Sequence, residues 1–206
     1  MASHTYSNNV VINCPFDFEY ADLFRAIVFA VQDCGFVARC ALEKSDSTET
    51  RIEKLFRITS ECKYGIHDIS RTELDRDNKL PRFNMPLELG IFLGAKQFGS
   101  RKQKDKQGLI LDRRKYRYQK FCSDISGQDI VEHGNSPRKA IQVVRDWFAG
   151  IVIDTILPSG NMIFKRYQSF QKELPIYCEP WQLKPDDLIF NDLTALIEEW
   201  LRANSW

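Results

Sequence analysis

The chain has 206 residues, 43% hydrophobic and 12% aromatic, which is enough for one sizeable core with an appended element. Its formal net charge of +1 provides no global field that would attract nucleic acid or a membrane surface. No apolar run approaches the length of a membrane-spanning helix, and no basic-then-apolar leader opens the chain. We therefore expect a cytoplasmic protein that does not engage a membrane.

The cysteines and histidines argue against a metal centre. The six cysteines form no C-x-x-C pair and lie mostly in apolar surroundings, as is typical of reduced thiols in a protein core. The three histidines are His4, His67 and His133, too few and too far apart in sequence to indicate a His/Cys zinc site. We predict no metal.

Most of the chain alternates between predicted strands and predicted helices. Apolar runs rich in β-branched residues predict strands at residues 9–13, 36–42, 64–69 and 107–111, with a short fifth strand at 130–132. Helical periodicity predicts helices at residues 20–34, 51–62, 85–97 and 139–150. This alternation with short connections predicts an α/β fold: a flavodoxin-like parallel sheet with helices on both faces.

Two of these helices carry specific expectations about packing. In the helix at 51–62, four residues are predicted to face inward: Ile52, Leu55, Phe56 and Thr59. The segment from Phe83 to Ala95 carries one charge only, Glu88, and a helix that is apolar nearly all round is expected inside the protein. Gly90 and Gly94 are interpreted as sites of close helix packing.

Glu88 is the sharpest feature of the sequence. A buried carboxylate loses its hydration and therefore needs a partner or a chemical role. A structural interpretation exists as well, because glutamate near a helix start favours the positive end of the helix dipole. In that interpretation Asn84 caps the helix, and free backbone N–H groups favour the ionised form while apolar neighbours oppose it.

Polar residues follow the predicted strands at the edge of the sheet where such folds bind ligands. The polar residues are Asn13 and Asp17 after the first strand, Glu43 after the second, and Asp68, Ser70 and Arg71 after the third; Pro15 and Phe16 lie between the first two and are candidates for substrate binding as well. The start of the Glu88 helix, Asn84 and Met85, faces the same edge. Near the second strand, we predict that Arg39 or Arg51 contacts a ligand phosphate; a surface ion pair is the alternative.

Motifs for other chemistries are missing from the sequence. It contains no G-x-x-x-x-G-K-[ST] loop for nucleotide hydrolysis and no G-x-S-x-G elbow. A carboxylate in a partly apolar cleft suits reactions that pass through an oxocarbenium-like state at a sugar carbon. Cleavage of an N-glycosidic bond to a good leaving base, such as nicotinamide, can proceed with one carboxylate.

Two segments resemble a known superfamily over roughly residues 9 to 150. The third strand ending IHDIS and the helix opening MPLELG are similar to nucleoside 2-deoxyribosyltransferases and Toll/interleukin receptor (TIR) domains. In the deoxyribosyltransferases an Asp and a Ser follow the third strand, and a Glu that precedes Gly in the next helix is the nucleophile. That pattern falls on Asp68, Ser70, Glu88 and Gly90.

The resemblance implies an activity. In TIR enzymes a single Glu in a comparable cleft cleaves NAD, and the residues after the first strand, Asn13 to Phe16, lie where this group approaches its nucleotide. NAD or a related nucleotide is then the substrate, and no separate cofactor is implied. Bacterial proteins of this type often serve antiviral defence.

The end of the chain has a different character. After a Pro-Ser-Gly break at residues 158–160, two helical stripes of apolar residues follow, in segments 163–174 and 193–201. We predict an α/β domain at residues 1–157 and a helical appendage at 158–206 that packs on it or on a partner subunit. Removing the appendage would expose both stripes, and a homo-oligomer is expected.

A basic segment lies between Arg101 and Lys120. Nine lysines or arginines oppose two aspartates there, which is typical of a solvated basic edge. The segment could also bind a polyanion, with Tyr116, Tyr118 and Phe121 available for stacking. A local charge of this kind is a weak signal, and we do not expect nucleic acid as a partner.

Three functions therefore compete. The favoured one is an enzyme that cleaves the N-glycosidic bond of NAD or a related nucleotide, with Glu88 as the catalytic residue. The alternative is a non-catalytic module that senses a nucleotide in the same cleft and oligomerises. The third is a nucleic-acid-associated protein acting through residues 101–120.

Overall fold

A computed structural model describes residues 5–43, 46–74, 79–152 and 155–205. Five strands form one sheet: β1 Asn9–Asn13, β2 Val37–Arg39, β3 Tyr64–Asp68, β4 Gln107–Asp112 and β5 Ile130–Glu132. Seven α-helices surround them within the described ranges: α1 Ala21–Asp33, α2 Arg51–Glu61, α3 Asn84–Phe98, α4 Arg101–Lys104, α5 Pro137–Ala149, α6 Gly160–Cys178 and α7 Phe190–Ala203.

All neighbouring strands run parallel, in the order β2-β1-β3-β4-β5. This is the strand order of the flavodoxin-like fold, so the predicted fold class is confirmed. The register pairs Ile12 with Ile66 and Ile66 with Leu109, which places the apolar centres of the three middle strands side by side. The second strand is shorter than predicted and covers only residues 37–39.

Helices cover both faces of the sheet because its strands present apolar residues on both sides. On one face Val10 and Ile12 join a large core with α1 and α5. On the other face Val11 packs with Ile58 of α2 and Phe92 of α3. Successive residues of one strand therefore point into two different cores, as strand geometry requires.

The chain after residue 158 forms a third layer on top of α1. Helix α6 packs on α5 and α1, and α7 packs on α1 and α6. Phe29 of α1 lies among three aromatic rings of this layer, those of Tyr167, Phe170 and Trp200, with centroids 5.5–5.8 Å away. Arg166 binds the carboxylate of Asp33 at 3.0–3.1 Å and fixes α6 to the end of α1. The appendage thus packs on its own α/β domain.

The helix that is enclosed on all sides is α1. Its residues from Ala26 to Val31 are completely buried between the sheet and the C-terminal helices. Gly35 follows with φ of +86°, a conformation that favours glycine, and ends the helix. The expectation that α3 is buried all round is wrong: Leu87 is 56% exposed and Phe98 is 86% exposed.

Other packing predictions were also corrected. In α2, Leu55 and Thr59 are buried, but Ile52 and Phe56 are 39% and 53% exposed, because they lie on the side away from the sheet.

The cysteine prediction holds: all six are free thiols, and only Cys122 is partly accessible. Within the described residues we find no helix of the length and apolarity needed to cross a membrane.

Candidate active site

The carboxyl ends of the strands bring polar residues together. Asn13 ends β1, Asp68 ends β3, and Asp112 ends β4. His133 follows β5 directly. All four side chains are buried, so their polar atoms depend on partners inside the protein. Oδ2 of Asp112 and Nε2 of His133 make no hydrogen bond within the described residues, although Nε2 lies within ion-pair distance of Asp68.

Asp68 is held by three groups. Its Oδ2 accepts a hydrogen bond from the Tyr20 hydroxyl at 2.5 Å and lies 3.0 Å from Nε2 of His133. Its Oδ1 accepts from the backbone N–H of Ser70 at 2.7 Å. The backbone N–H of Asn135 donates to Nδ1 of His133 at 3.1 Å, which leaves Nε2 to carry the proton that faces Asp68.

These contacts decide the ionisation of Asp68. Burial alone would raise the pKa of this carboxyl, but the interactions with His133, Ser70 and Tyr20 outweigh burial and hold the pKa below its ordinary value. Asp68 is completely enclosed, and Ser70 is 1% exposed. Asp68 and Ser70, two of the residues predicted to bind substrate, therefore lie inside the fold. There Asp68 connects β3 with β5 and with the start of α1.

Glu88 lies in the second turn of α3 and is 8% exposed. Its nearest cation is Arg51 at the start of α2, with a guanidinium nitrogen 3.7 Å from Oε1. Burial raises the pKa of Glu88, and Arg51 offsets only part of that rise. The carboxylate is close enough to Cys14 and Cys40 to contribute, after burial, to the raised pKa of each thiol.

The start of α3 is fixed to the end of β1. The amide of Asn13 donates to the carbonyl of Met85 at 2.9 Å and lies 3.3 Å from Nδ1 of His67. The expected cap is wrong, since Phe83 occupies the N-cap position and Asn84 is the first, exposed residue of the helix. Asn13 and Met85 thus hold the helix that carries Glu88 against the sheet edge.

The residues after β1 line a cavity of about 320 Å³ that the C-terminal helices complete. Pro15, Phe16 and Asp17 form one wall, and Phe190 belongs to the opposite wall. The Phe16 and Phe24 rings meet edge to face at 5.4 Å. Asp17 already forms ion pairs with two arginines between β3 and α3, Arg71 at 3.1 Å and Arg82 at 3.0 Å.

The two arginines proposed for phosphate binding differ in accessibility. Arg39 binds Glu43 through two nitrogens, at 2.5 and 2.6 Å, and also binds Glu61 at 2.8 Å. Its guanidinium and the carboxylate of Glu43 therefore satisfy each other inside the domain. The Arg51 side chain is 64% exposed and adjoins Glu88, so of this pair Arg51 is the one placed to meet a ligand.

Four residues of this edge escaped the sequence analysis: Tyr20, Asp112, Arg117 and His133. Arg117 donates to Asp112 at 2.8 Å and to the carbonyl of Ile69 at 2.7 Å, which closes the edge beside Asp68. Asp112 and His133 each end or follow a parallel strand, so the rule applied to the first three strands would have found them. Tyr20 had no comparable sequence signal.

The basic segment does not form one surface. Helix α4 precedes β4, and residues 113–120 follow it, so the two halves lie at opposite ends of a six-residue strand about 20 Å long. Arg113 and Arg117 both pair with Glu73. Lys106 is buried, and its ammonium donates to the carbonyls of Thr59 and Cys62. A continuous polyanion-binding patch is therefore not formed by these residues.

The described part of the chain contains no cluster of three or more His, Cys, Asp or Glu side chains arranged to hold a metal ion. No family model matches the sequence, and neither the curated proteins nor the solved structures contain a match. The functional interpretation therefore depends on the geometry of the site itself.

Proposed function

We propose that the chain cleaves the N-glycosidic bond of a nucleotide, with NAD as the first substrate to test and Glu88 as the catalytic carboxylate. One observation carries the proposal: Glu88 is almost fully buried at the ligand-binding edge, yet its only described ion pair is a loose one, at 3.7 Å, to an exposed arginine. A carboxylate that is desolvated and weakly paired is well suited to meet a developing positive charge.

The reaction needs no second carboxylate. Glu88 attacks the sugar carbon of the N-glycosidic bond, or stabilises the cation that forms at this carbon. The electron pair of the bond leaves with the base. For nicotinamide the leaving base is neutral, so it requires no proton from the protein. Water then completes the reaction at the same carbon and releases the sugar and a proton. Asp68 is not required for this chemistry, because its oxygens are already engaged by Tyr20, His133 and Ser70.

The surroundings of Glu88 offer places for the rest of a nucleotide. The exposed guanidinium of Arg51 is available for a phosphate. The cavity beside Pro15 and Phe16 has a size and an aromatic lining suited to a base or a ribose. This cavity is close to Glu88 along the chain. Cys14 and Cys40 are near Glu88, and two residues of the cavity wall follow them: Pro15 directly after Cys14, and Leu42 two residues after Cys40.

The test is Glu88→Gln, which keeps the size of the side chain and removes its charge. We expect cleavage of NAD to fall at least ~100-fold, as on losing a positioned electrostatic group. The melting temperature should be kept or rise, because a neutral amide is cheaper to bury than a carboxylate. Turnover of NAD and of a deoxynucleoside is measured beside the melting temperature.

Glu199→Gln is the matched control, since it makes the same change at an exposed site on α7. It should leave both turnover and melting unchanged. An active but destabilised Glu88→Gln protein would refute the proposal. A wild-type protein inactive on both substrates that still binds NAD would instead support the nucleotide-sensing module.

A further inference from the structure

One face of α3 is apolar and is not covered by the other described residues. Phe83 before the helix, Leu87 in its first turns and Phe98 at its end are 57%, 56% and 86% exposed. Ile91 lies between them on the same face, four residues after Leu87, and is only partly buried. The opposite face, with Glu88, Leu89 and Phe92, packs into the domain.

Helix α2 extends this surface. Ile52 and Phe56 are 39% and 53% exposed and point away from the sheet. Phe56 lines a groove of about 530 Å³ together with Ile91 and Ala95 of α3. The α2–α3 face is defined here as Ile52, Phe56, Phe83, Leu87, Gly90, Ile91, Gly94, Ala95 and Phe98, and none of these residues is charged.

The face is large enough for a stable contact between two proteins. With ~200 Å² for a whole aromatic side chain, the five most exposed residues present on the order of 500 Å² of apolar surface. Two such faces would together bury on the order of 1,000 Å² before any polar rim is counted, close to the lower limit of specific interfaces. A patch of this size compares with the largest apolar patch of a typical monomer, which is often functional.

The shape of α3 fits a copy of itself. Gly90 and Gly94 lie near the middle of the helix, and a Cβ placed at either would meet no described atom within 4 Å. The predicted close packing of these glycines is therefore not provided by the described part of the chain. Glycine destabilises a helix relative to alanine, so a partner that approaches closely would explain why two glycines stand in the middle of α3.

A two-fold axis near residue 92 would make the stripe self-complementary. Two antiparallel α3 helices would then cross at the glycines, with Gly90 of one copy facing Gly94 of the other. The large side chains Leu87 and Phe98 would meet across the ends of the crossing. In such an isologous contact one surface serves both partners, and an uncharged stripe brings no like charges together.

We propose that the α2–α3 face is the interface of a homodimer, formed by antiparallel packing of two α3 helices. The occupant is a second copy of this chain, and the interface lies on the face of the sheet opposite the C-terminal helices. Those helices are not the dimer interface, because their apolar stripes are already buried against α1 and α5. This inference does not depend on the proposed enzymatic function.

The test is Gly94→Lys on the full chain, with mass measured by light scattering and sedimentation over a concentration series. The wild type should have twice the 24.0 kDa mass of one chain. A lysine at the crossing point would be buried without a partner charge, so the dimer dissociation constant should rise at least ~100-fold. Monomer folding should survive, because the site has space and lysine favours a helix over glycine.

Two controls separate this effect from general damage. Gly127→Lys adds the same charge at another glycine with open space around its Cβ. Ile176→Lys replaces a residue of α6 that is 62% exposed and so tests the C-terminal helices. Neither should change the mass. Phe98→Lys is the second disruptive variant, and its 86% exposure means that its loss leaves the core intact.

The outcomes are decisive in either direction. Dissociation by Gly94→Lys and Phe98→Lys, with both controls dimeric and every variant still folding cooperatively, supports the interface. A monomeric wild type overturns it, as does a dimer that Gly94→Lys and Phe98→Lys leave unchanged. Dissociation by Ile176→Lys with persistence in Gly94→Lys would assign the contact to the C-terminal helices instead.

Discussion

Two buried carboxylates at the same edge of the sheet, Asp68 and Glu88, are held in opposite ways. Asp68 has three close partners, and its pKa is held below the ordinary value despite complete burial. Among the residues that the structure describes, Glu88 has one loose ion-pair partner, Arg51 at 3.7 Å, and burial raises the pKa of Glu88. Burial by itself therefore does not distinguish a structural acid from a reactive one; the partners do.

Under the proposed function, this difference gives the two residues different tasks. A carboxylate whose lone pairs are occupied stabilises the fold and has little capacity left for a substrate. A carboxylate that is desolvated and poorly paired has an unfavourable environment, which a developing cation would relieve. Asp68 accordingly joins three parts of the domain, and Glu88 remains the candidate for chemistry.

Asp68→Asn should have the largest effect on stability. One amide oxygen cannot accept from both the Tyr20 hydroxyl and the Ser70 N–H, and the new NH₂ group would face a donor in a buried site. We therefore expect a loss of roughly 3–5 kcal/mol in the free energy of unfolding. Urea denaturation of the variant beside Asp129→Asn, an exposed control, measures this. A loss no larger than that of the control would remove Asp68 as a structural centre.

The effect of Asp68→Asn should also depend on pH. The folded state lowers the pKa of Asp68, so its stabilisation is present above the ordinary value of 3.8 and is lost as pH falls through the folded pKa. The stabilities of wild type and variant should therefore converge in acid. A difference that stays constant down to the acid unfolding transition would contradict this assignment.

Tyr20→Phe removes one of the three partners and keeps the ring. A hydrogen bond to a charged group contributes about 1.5–3 kcal/mol, so the free energy of unfolding should fall by that amount. Tyr116→Phe, at a side chain that is 66% exposed, is the control and should be neutral. If Tyr20→Phe also proves neutral while Asp68→Asn does not, His133 and Ser70 alone hold the carboxylate.

Arg51→Met should give the smallest effect and tests the partner of Glu88. Arg51 lowers the pKa of Glu88 against the larger opposing effect of burial, so its loss should raise that pKa further. Glu88 must be ionised to act, so the acid limb of the NAD-cleavage profile should move to higher pH. An exposed pair contributes little, and the rate above that limb should change less than about fivefold if Arg51 only tunes Glu88.

The control for Arg51→Met is Arg101→Met, which removes an exposed arginine at the opposite edge of the sheet. It should leave the pH profile in place. An acid limb that does not move in Arg51→Met would show that Glu88 does not set it. A large rise in KM with little change in the limb would instead identify Arg51 as a phosphate contact.

Local patterns in the sequence determined the fold class. The alternation of short apolar runs with amphipathic segments requires a parallel sheet with helices on both faces, and β1, β5 and the start of β3 lie where these patterns place them. The sequence alone also predicts that Glu88 is a buried acid, because it is the single charge in an apolar segment. The fold class and the burial of Glu88 both follow from the order of residues that are close together in the chain, and the sequence contains this order directly.

Only the tertiary structure decided which surfaces are covered and which carboxylates are satisfied. The apolar pattern of α3 does not reveal that α1, and not α3, receives the layer of C-terminal helices. Tyr20 reaches Asp68 across 48 residues of sequence, and His133 comes from a different strand end. The periodicity of a segment reports its own amphipathic faces, whereas coverage and hydrogen bonding depend on elements distant in the chain.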